Sequence, residues 1–480
     1  MKTFKLILPA FAMMLSLGIG AQTTFDAAKL YEEELNGTAR YVGMGGAMSA
    51  LGSDPSVISH NPAGIGTYRK SDINASLSIF GTSVNTDPAY TSSNQGAVGN
   101  IRYYSDNLKS DINPSFDNVS FILSGSDNGD KYMNFGISYR KLQNIDRDMN
   151  YFDAFPDDDG YEVWRDYRNH LRSKVHSWDF NLSANLSDVV YLGWTFGVLT
   201  TDNWSEGYFY DFYAAGNHPD YPNGLDFTTV DMMNTSEGAG WNMAFGMIVR
   251  PVTPLRLGFA IKTPTLFKET LDYSDYLYSA MGVDKGGDKF SSSVDYKFSS
   301  PWSLNLSAGL TFGKTAIGAE FERHFTQRSS LSIGGTKMLS QGAIDLDDFS
   351  TLKVGIEQNI SIIALRLGYN YIESMYKDYA FPYLADTEFN GWTYDANGDV
   401  QDFGRADFQI DRLGKTQYMT CGLGYCSEPD RDGTQFYFDL AYVHGIRNSV
   451  FNTNEPKAPN ADVNYKYKSD KLLFTIGWNF

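Results

Sequence analysis

Amphipathic segments of about ten residues come in pairs along this chain, with a tiny connection inside each pair and a long polar one between pairs. The tight connections fall at 125–130, 187–189, 251–254, 313–314, 359–361 and 427–434. The long ones fall at 81–117, 141–177, 201–239, 263–301, 324–350, 374–416 and 444–470. Six tight and seven long connections alternate without exception and join 14 strands. Even strand number, short turns on one side and long loops on the other describe a bacterial outer-membrane barrel with both chain ends on the periplasmic side. The expected fold is all-β: a 14-stranded antiparallel transmembrane β-barrel, with 290–298 extending a neighbouring strand above the membrane.

The alternation within strands supports this. In 179–187, Phe180, Leu182, Ala184 and Leu186 alternate with Asp179, Asn181, Ser183, Asn185 and Ser187. In 302–311, Trp302, Leu304, Leu306, Ala308 and Leu310 alternate with Ser303, Asn305, Ser307, Gly309 and Thr311. A soluble β-sandwich alternates too, but its exposed face is typically charged. Here the polar face is Ser, Asn, Thr and Gly, which suits a polar lumen behind a lipid-facing wall.

Both chain ends fit a secreted barrel. Residues 1–21 carry Lys2 and Lys5, an apolar run and then Gly20 and Ala21, the form of a secretory signal peptide. At the other end Leu472, Phe474, Ile476, Trp478 and Phe480 share one face of the last strand. A final aromatic of this kind resembles the signal read by the barrel assembly machinery, and Trp478 and Phe480 are the residues expected to carry it.

A formal charge of −18 argues against nucleic-acid binding. The 32 Tyr and 32 Phe suit aromatic girdles at the two membrane interfaces. The only cysteines, Cys421 and Cys426, lie five apart in one predicted strand and face opposite sides, roughly 17 Å apart, which excludes a disulfide between them.

Residues 22–70 precede the first strand, predicted at 72–80. Gly43, Gly45, Gly46, Gly52, Gly64 and Gly66 punctuate this segment, with Asp54-Pro55 and Asn61-Pro62 adding turn chemistry. Such a stretch folds compactly only against walls, and a barrel lumen supplies them. The expected organisation is a signal peptide over 1–21, a plug or hatch over 22–70 and the barrel over 71–480.

The run from Gly37 to Gly64, GTARYVGMGGAMSALGSDPSVISHNPAG, resembles the hatch of the FadL-type outer-membrane transporters of long-chain fatty acids and other hydrophobic compounds, toluene and xylene channels included. The family's Asn-Pro-Ala motif appears as Asn61, Pro62 and Ala63. The resemblance continues at 240–251, 255–260, 365–371 and 442–445. It implies passive uptake of hydrophobic small molecules, fatty acids or aromatic hydrocarbons, by way of a groove between loops, a gated hatch and a lateral exit into outer-membrane lipid. It places Asn61, Pro62, Ala63 and Gly64 at the gate. Within the wider family the alternatives are a shuttle in type IX protein secretion and, in a further class, a general small-solute porin.

The aromatic loop residues Tyr208, Phe209 and Phe212, with Leu266, Phe267, Leu271 and Tyr278, are the candidate hydrophobic groove; Leu271, Tyr278 and Met281 also recur at a spacing compatible with one helix face. Packing among loops is the competing explanation of the same residues. No catalytic motif is present, no close histidine pair points to a metal, and no cofactor is expected. Asp395, Asn397 and Asp399 start like a calcium loop, but Val400 and Ala406 stand where Gly and Glu belong. His60 is expected as a hydrogen-bonded structural histidine, with proton sensing in the hatch as the alternative.

Overall fold

The computed structural model describes residues 32, 34–86, 108–109, 113–125, 131–156, 160–280, 283–333, 336–337, 346–376, 392–394, 400–402, 410–412, 414–452 and 462–480. Residues 1–31, with the expected signal peptide, and 395–399 lie outside the described residues, as does Met281.

Fourteen antiparallel strands close into a barrel. They are β1 Asp72–Thr86, β2 Asn113–Ser124, β3 Lys131–Pro156, β4 Glu162–Leu186, β5 Val190–Tyr213, β6 Leu225–Val252 and β7 Leu255–Lys262, then β8 Ser303–Phe312, β9 Thr315–His324, β10 Phe349–Ile360, β11 Ile363–Ile372, β12 Thr416–Cys426, β13 Gln435–Asn452 and β14 Asp462–Asn479. Each pairs with its sequence neighbour, and β7 with β8. The ring closes where β1 meets β14 in unbroken register from Asp72–Asn479 to Thr86–Tyr465. Closure leaves no strand edge in the wall, the condition for a sheet to cross lipid.

The wall is inverted relative to a soluble protein. In β4, Trp178, Phe180, Leu182 and Leu186 are exposed on the outside while Asp179, Asn181, Ser183 and Asn185 are buried inside. The same holds around the ring, with Leu77, Phe135, Phe245, Leu306, Leu352 and Leu367 exposed outward. An apolar belt of this kind is stable only against hydrocarbon, so the molecule is a transmembrane barrel. Cys421 and Cys426 are both free thiols.

Tight turns at 187–189, 313–314 and 427–434 fall as the sequence predicts. The long connections differ from expectation. Segments 141–177 and 201–239 are mostly not loops but continuations of β3 to β6, which run for 26, 25, 24 and 28 residues. A membrane crossing needs only about 9–11 residues. Polar sequence reads as loop, yet two such strands side by side satisfy each other's backbone groups well beyond the membrane. The strands Leu266–Ala280 and Val283–Ser299 form a further hairpin of the same sheet, paired on one side to the outer part of β6 and on the other to Ser330–Ile333, so that it extends the wall beyond β7 and β8, in agreement with the reading of 290–298.

Inside the barrel the described residues 34–70 run from the loop end, where Glu34 N–H donates to the Leu142 carbonyl at 3.1 Å, down to the turn end, where Ser71 and Phe480 exchange main-chain hydrogen bonds at 2.9 Å. The apolar core of the molecule sits here: Tyr41, Val42, Met44, Met48, Val57, Ile58 and Ile65 are buried against Ile122, Tyr418, Val443 and Leu473 of the wall.

Candidate functional site

Three short helical turns build the luminal segment, each started by a side chain that accepts a hydrogen bond from the backbone. Thr38 caps the helix α1 (Ala39–Gly43). Asp54 caps the 3-10 turn Pro55–Ser59, and Asn61 caps the 3-10 turn Pro62–Thr67. In the last two a proline follows the cap at the first helical position, where its missing N–H costs nothing and its fixed φ favours the turn. Asn61 Oδ1 accepts from Ala63 N–H at 3.2 Å, while its Nδ2 donates to the Met247 carbonyl of β6 at 3.4 Å. Pro62, Ala63 and Gly64 are all buried, and the Pro62 carbonyl accepts from Asn181 of β4 at 3.3 Å.

The wall grips this segment largely through its backbone. Thr195 donates to the Ile58 carbonyl at 2.8 Å, Asn134 to Ile65 at 2.8 Å and to Tyr68 at 3.0 Å, and Thr420 to Gly43 at 3.1 Å. Thr475 accepts from Ala39 N–H at 2.7 Å. Close approach depends on missing side chains in the wall. A Cβ at Gly193 would stand 2.2 Å from the Pro62 carbonyl carbon, and one at Gly246 would stand 2.1 Å from Asn61 Oδ1. Further round the ring, Gly309, Gly318, Gly355 and Gly368 sit in register across β8 to β11. A Cβ at Gly318 would lie 1.8 Å from the Ala47 oxygen, at Gly355 2.2 Å from the Met44 oxygen, and at Gly368 2.1 Å from Gly45 N. Glycine inside a strand weakens the strand and here opens a seat for another backbone.

Two buried ionic clusters tie the segment to the wall. Arg40 pairs with Glu357, which also receives Arg366 at 2.7 Å; Arg366 in turn reaches Asp439 at 2.5 Å. On the other side of α1, His60 stacks on Tyr41 with ring centroids 5.9 Å apart and points Nδ1 at Glu322 from 3.5 Å. His60, Glu320 and Glu322 converge as a metal-binding set would. The Lys353 ammonium already lies 2.7 Å from Glu320 and 3.4 Å from Glu322, supplying the positive charge that a metal would bring. His60 thus occupies a structural place among ion pairs.

A cavity lies on each side of the luminal segment. The one toward the long loops, of about 70 Å³, is bounded by Leu35, Tyr41 and His60 of the segment and by Phe349, Ile372 and Met375 of the wall. The one toward the short turns, of about 250 Å³, is bounded by Arg40, Asp54 and Tyr68 and by Ile363, Tyr425 and Tyr437. Adjacent residues of α1, Arg40 and Tyr41, therefore face opposite cavities.

The expected loop groove is divided. Phe267 and Leu271 are buried in a cluster with Leu142, Val175, Leu199, Tyr296, Phe298 and Leu331, while neighbouring Leu266 is exposed. Phe267 pairs with Gly240 of β6, whereas Tyr208 pairs with Asp231, about 30 Å further along that strand at the usual rise. Tyr208 and Phe212 flank Tyr210, with ring centroids 6.3 and 4.7 Å away. The side chains of Phe209 and Tyr278 lie outside the described residues. The helix-like spacing of Leu271 and Tyr278 is overridden, since both sit in the strand Leu266–Ala280, held by its pairing with β6. Trp478 and Phe480 are exposed on the lipid side at the turn end. Sequence reasoning passed over the wall glycines, the Arg40–Glu357–Arg366–Asp439 cluster and the cavities; glycines recurring inside otherwise regular strands were the one visible signal.

The chain matches no known protein-family profile and no curated protein by sequence. Its fold does match solved structures. A Pseudomonas aeruginosa FadL homologue superposes with a TM-score of 0.58 at 13% identity, covering 93% of this chain and 99% of that one. The toluene transporter TodX of Pseudomonas putida gives 0.53 at 11% identity, covering 93% and 98%. The toluene transporter TbuX of Ralstonia pickettii gives 0.50 at 14% identity, covering 93% and 99%. The expected likeness to FadL-type barrels is borne out at the level of the fold over nearly the whole chain.

Proposed function

We propose that this chain is an outer-membrane channel for the passive uptake of hydrophobic small molecules, with residues 34–70 as the hatch that closes its lumen. The observation that carries the reading is the pair of cavities, one on each side of a segment bonded to the wall by its backbone. An open aqueous porin has no use for such a closure. A hydrophobic solute gains roughly 25 cal/mol per Å² on leaving water, so capture in an apolar cavity needs no energy source. In this reading the turn end faces the periplasm, and both the FadL homologue and the toluene transporters that share the fold lend support. Asn61 and Pro62 are assigned the gate, since the turn they start bonds β4 and β6 at once.

The test is uptake of a fluorescent long-chain hydrocarbon probe by cells carrying the chain, measured beside leak of a small polar solute. The wild type is expected to raise probe uptake without polar leak, and Asn61→Ala with Pro62→Ala to change uptake at unchanged strand content. Polar leak from the wild type, equal to that of an open porin, would overturn the reading. So would a stable double mutant with unaltered uptake and leak, for the assignment of the gate.

A further inference from the structure

We propose that the outward face of β12 to β14, just beyond the lipid-facing belt at the loop end, is a binding site for a lipid whose headgroup carries phosphate groups. The proposal concerns the outside of the barrel and does not depend on the uptake route.

The pairing register lays this face out row by row. Leu423, Leu440 and Phe474 form one row across the three strands, and Cys421, Tyr442 and Leu472 the next. The row after that, Met419, His444 and Asp470, is the first to carry titratable groups. From the exposed Trp478 to Asp470 the strand has run a full membrane crossing of about 9–11 residues, so this row marks the edge of the hydrocarbon.

Beyond that edge the face turns cationic. Lys468 and Lys466 follow on β14, roughly 7 and 13 Å further along the strand. Lys415, exposed just before β12, stands level with Lys466 two strands away, about 10 Å at the usual strand spacing. Its level is set by Thr416 pairing with Arg447, by Asn448 pairing with Lys466, and by Gly414 N–H donating to Ser449 Oγ at 3.3 Å.

These lysines have no ion pair among the described residues. Asp470 is the one acid among the described outward side chains of β12 to β14, and it is held by the Tyr442 hydroxyl at 2.6 Å and by His444 Nδ1 at 2.8 Å. Other outward cations at the loop end do have acids: Arg172 lies 3.7 Å from Asp146, and Arg323 lies 3.9 Å from both Asp348 and Glu373. In a chain of formal charge −18, three neighbouring cations without a carboxylate run against the composition and leave the anion to come from outside.

The surface beside them has room for a headgroup. Gly81 and Ser83 of β1 pair with Asp470 and Lys468, and a Cβ at Gly81 would meet nothing within 4 Å. A headgroup seated over these small residues meets Lys468 and Lys466, while its acyl chains run down the wall past Leu472 and Ile79. Lysine is a point charge with three rotatable donors, suited to phosphate approached from any side, and three spread over this distance match a headgroup with more than one phosphate. A zwitterionic lipid would bring an ammonium of its own against them.

The experiment is titration of the purified full-length barrel in nonionic detergent, read by native mass spectrometry, with bisphosphorylated lipid A, its dephosphorylated form and inorganic phosphate. The bisphosphorylated lipid is expected to bind at least tenfold more tightly than the dephosphorylated one and to stay bound against an equal concentration of inorganic phosphate. Lys415→Gln, Lys466→Gln and Lys468→Gln combined should weaken it at least tenfold, since three lysines at a charged lipid surface are together worth about a hundredfold. Lys70→Gln, Lys131→Gln and Lys314→Gln combined, three exposed lysines of the turn end, should leave it within twofold. Heat-modifiable migration confirms that both triple variants are folded. Equal affinity for the two lipids, or equal loss in the two triple variants, would overturn the proposal. Displacement by an equal concentration of inorganic phosphate would overturn it too, by making this a site for the free ion.

Discussion

Arg40 of the luminal segment grips Glu357 of β10 with two hydrogen bonds, Nε to Oε2 at 2.9 Å and Nη2 to Oε1 at 3.0 Å. The same guanidinium donates to the Ser53 carbonyl at 2.8 Å, so one side chain fixes the fold of the segment and its seat in the wall.

Arg40→Met removes those bonds but leaves Glu357 paired with Arg366. The expected loss is about 1.5–3 kcal/mol from the seating of the segment, the usual worth of a charge-assisted bond. Hydrogen exchange over 34–70 should accelerate while the barrel ladder stays protected. Glu357→Ala takes the carboxylate from Arg40 and leaves Arg366 with Asp439 alone, and should cost more, about 3–5 kcal/mol. Equal exchange in both variants and in the wild type would show that the pair does not anchor the segment.

The register-aligned glycines make a steric prediction. Gly318→Ala places a Cβ where the Ala47 oxygen now lies, so the segment must shift from the wall. Polar-solute leak and proteolysis within 34–70 are expected to rise at least severalfold in a barrel that still assembles. Gly81→Ala is the control, because nothing lies within 4 Å of its would-be Cβ. A Gly318→Ala protein as tight as the Gly81→Ala control contradicts the close-approach argument.

Phe480→Ala keeps the two main-chain bonds to Ser71 that close the seam and removes only the outward ring. If that ring is read during assembly, the amount of heat-modifiable barrel in the outer membrane should fall severalfold, while Tyr221→Ala in an outer connection changes it little. Equal yields from the two would end the assembly-signal proposal for Trp478 and Phe480.

Asp54 sets a pH dependence. Burial lifts its carboxyl above the usual range, against the opposing pull of Arg40 and of the Thr38 and Ser56 donors. A raised folded pKa means that the contribution to stability is fully present below the unfolded value near 3.9 and is lost as pH rises through the folded one. The difference in melting temperature between wild type and Asp54→Asn should therefore shift against the wild type between pH 3.5 and 7. A difference that is flat or moves the other way would contradict the buried-carboxyl account.

The sequence by itself determined the wall. Alternation in 179–187 and 302–311, and the turns at 187–189 and 313–314, depend on residues a few positions apart, and from them the strand number and the lipid-facing side follow. Asn61 and Pro62 were legible for the same reason, as a cap and the residue after it. What fills the lumen was decided only by tertiary structure. Arg40 meets Glu357 across 317 residues, and Gly318 makes room for Ala47, pairings that no local pattern encodes. The split of the aromatic groove is of this kind as well: Tyr208 and Phe267 both attach to β6, and the register of that pairing, set by the whole ladder, holds them at different heights. Local side-chain chemistry fixes which way each residue points; only ring closure fixes what it meets there.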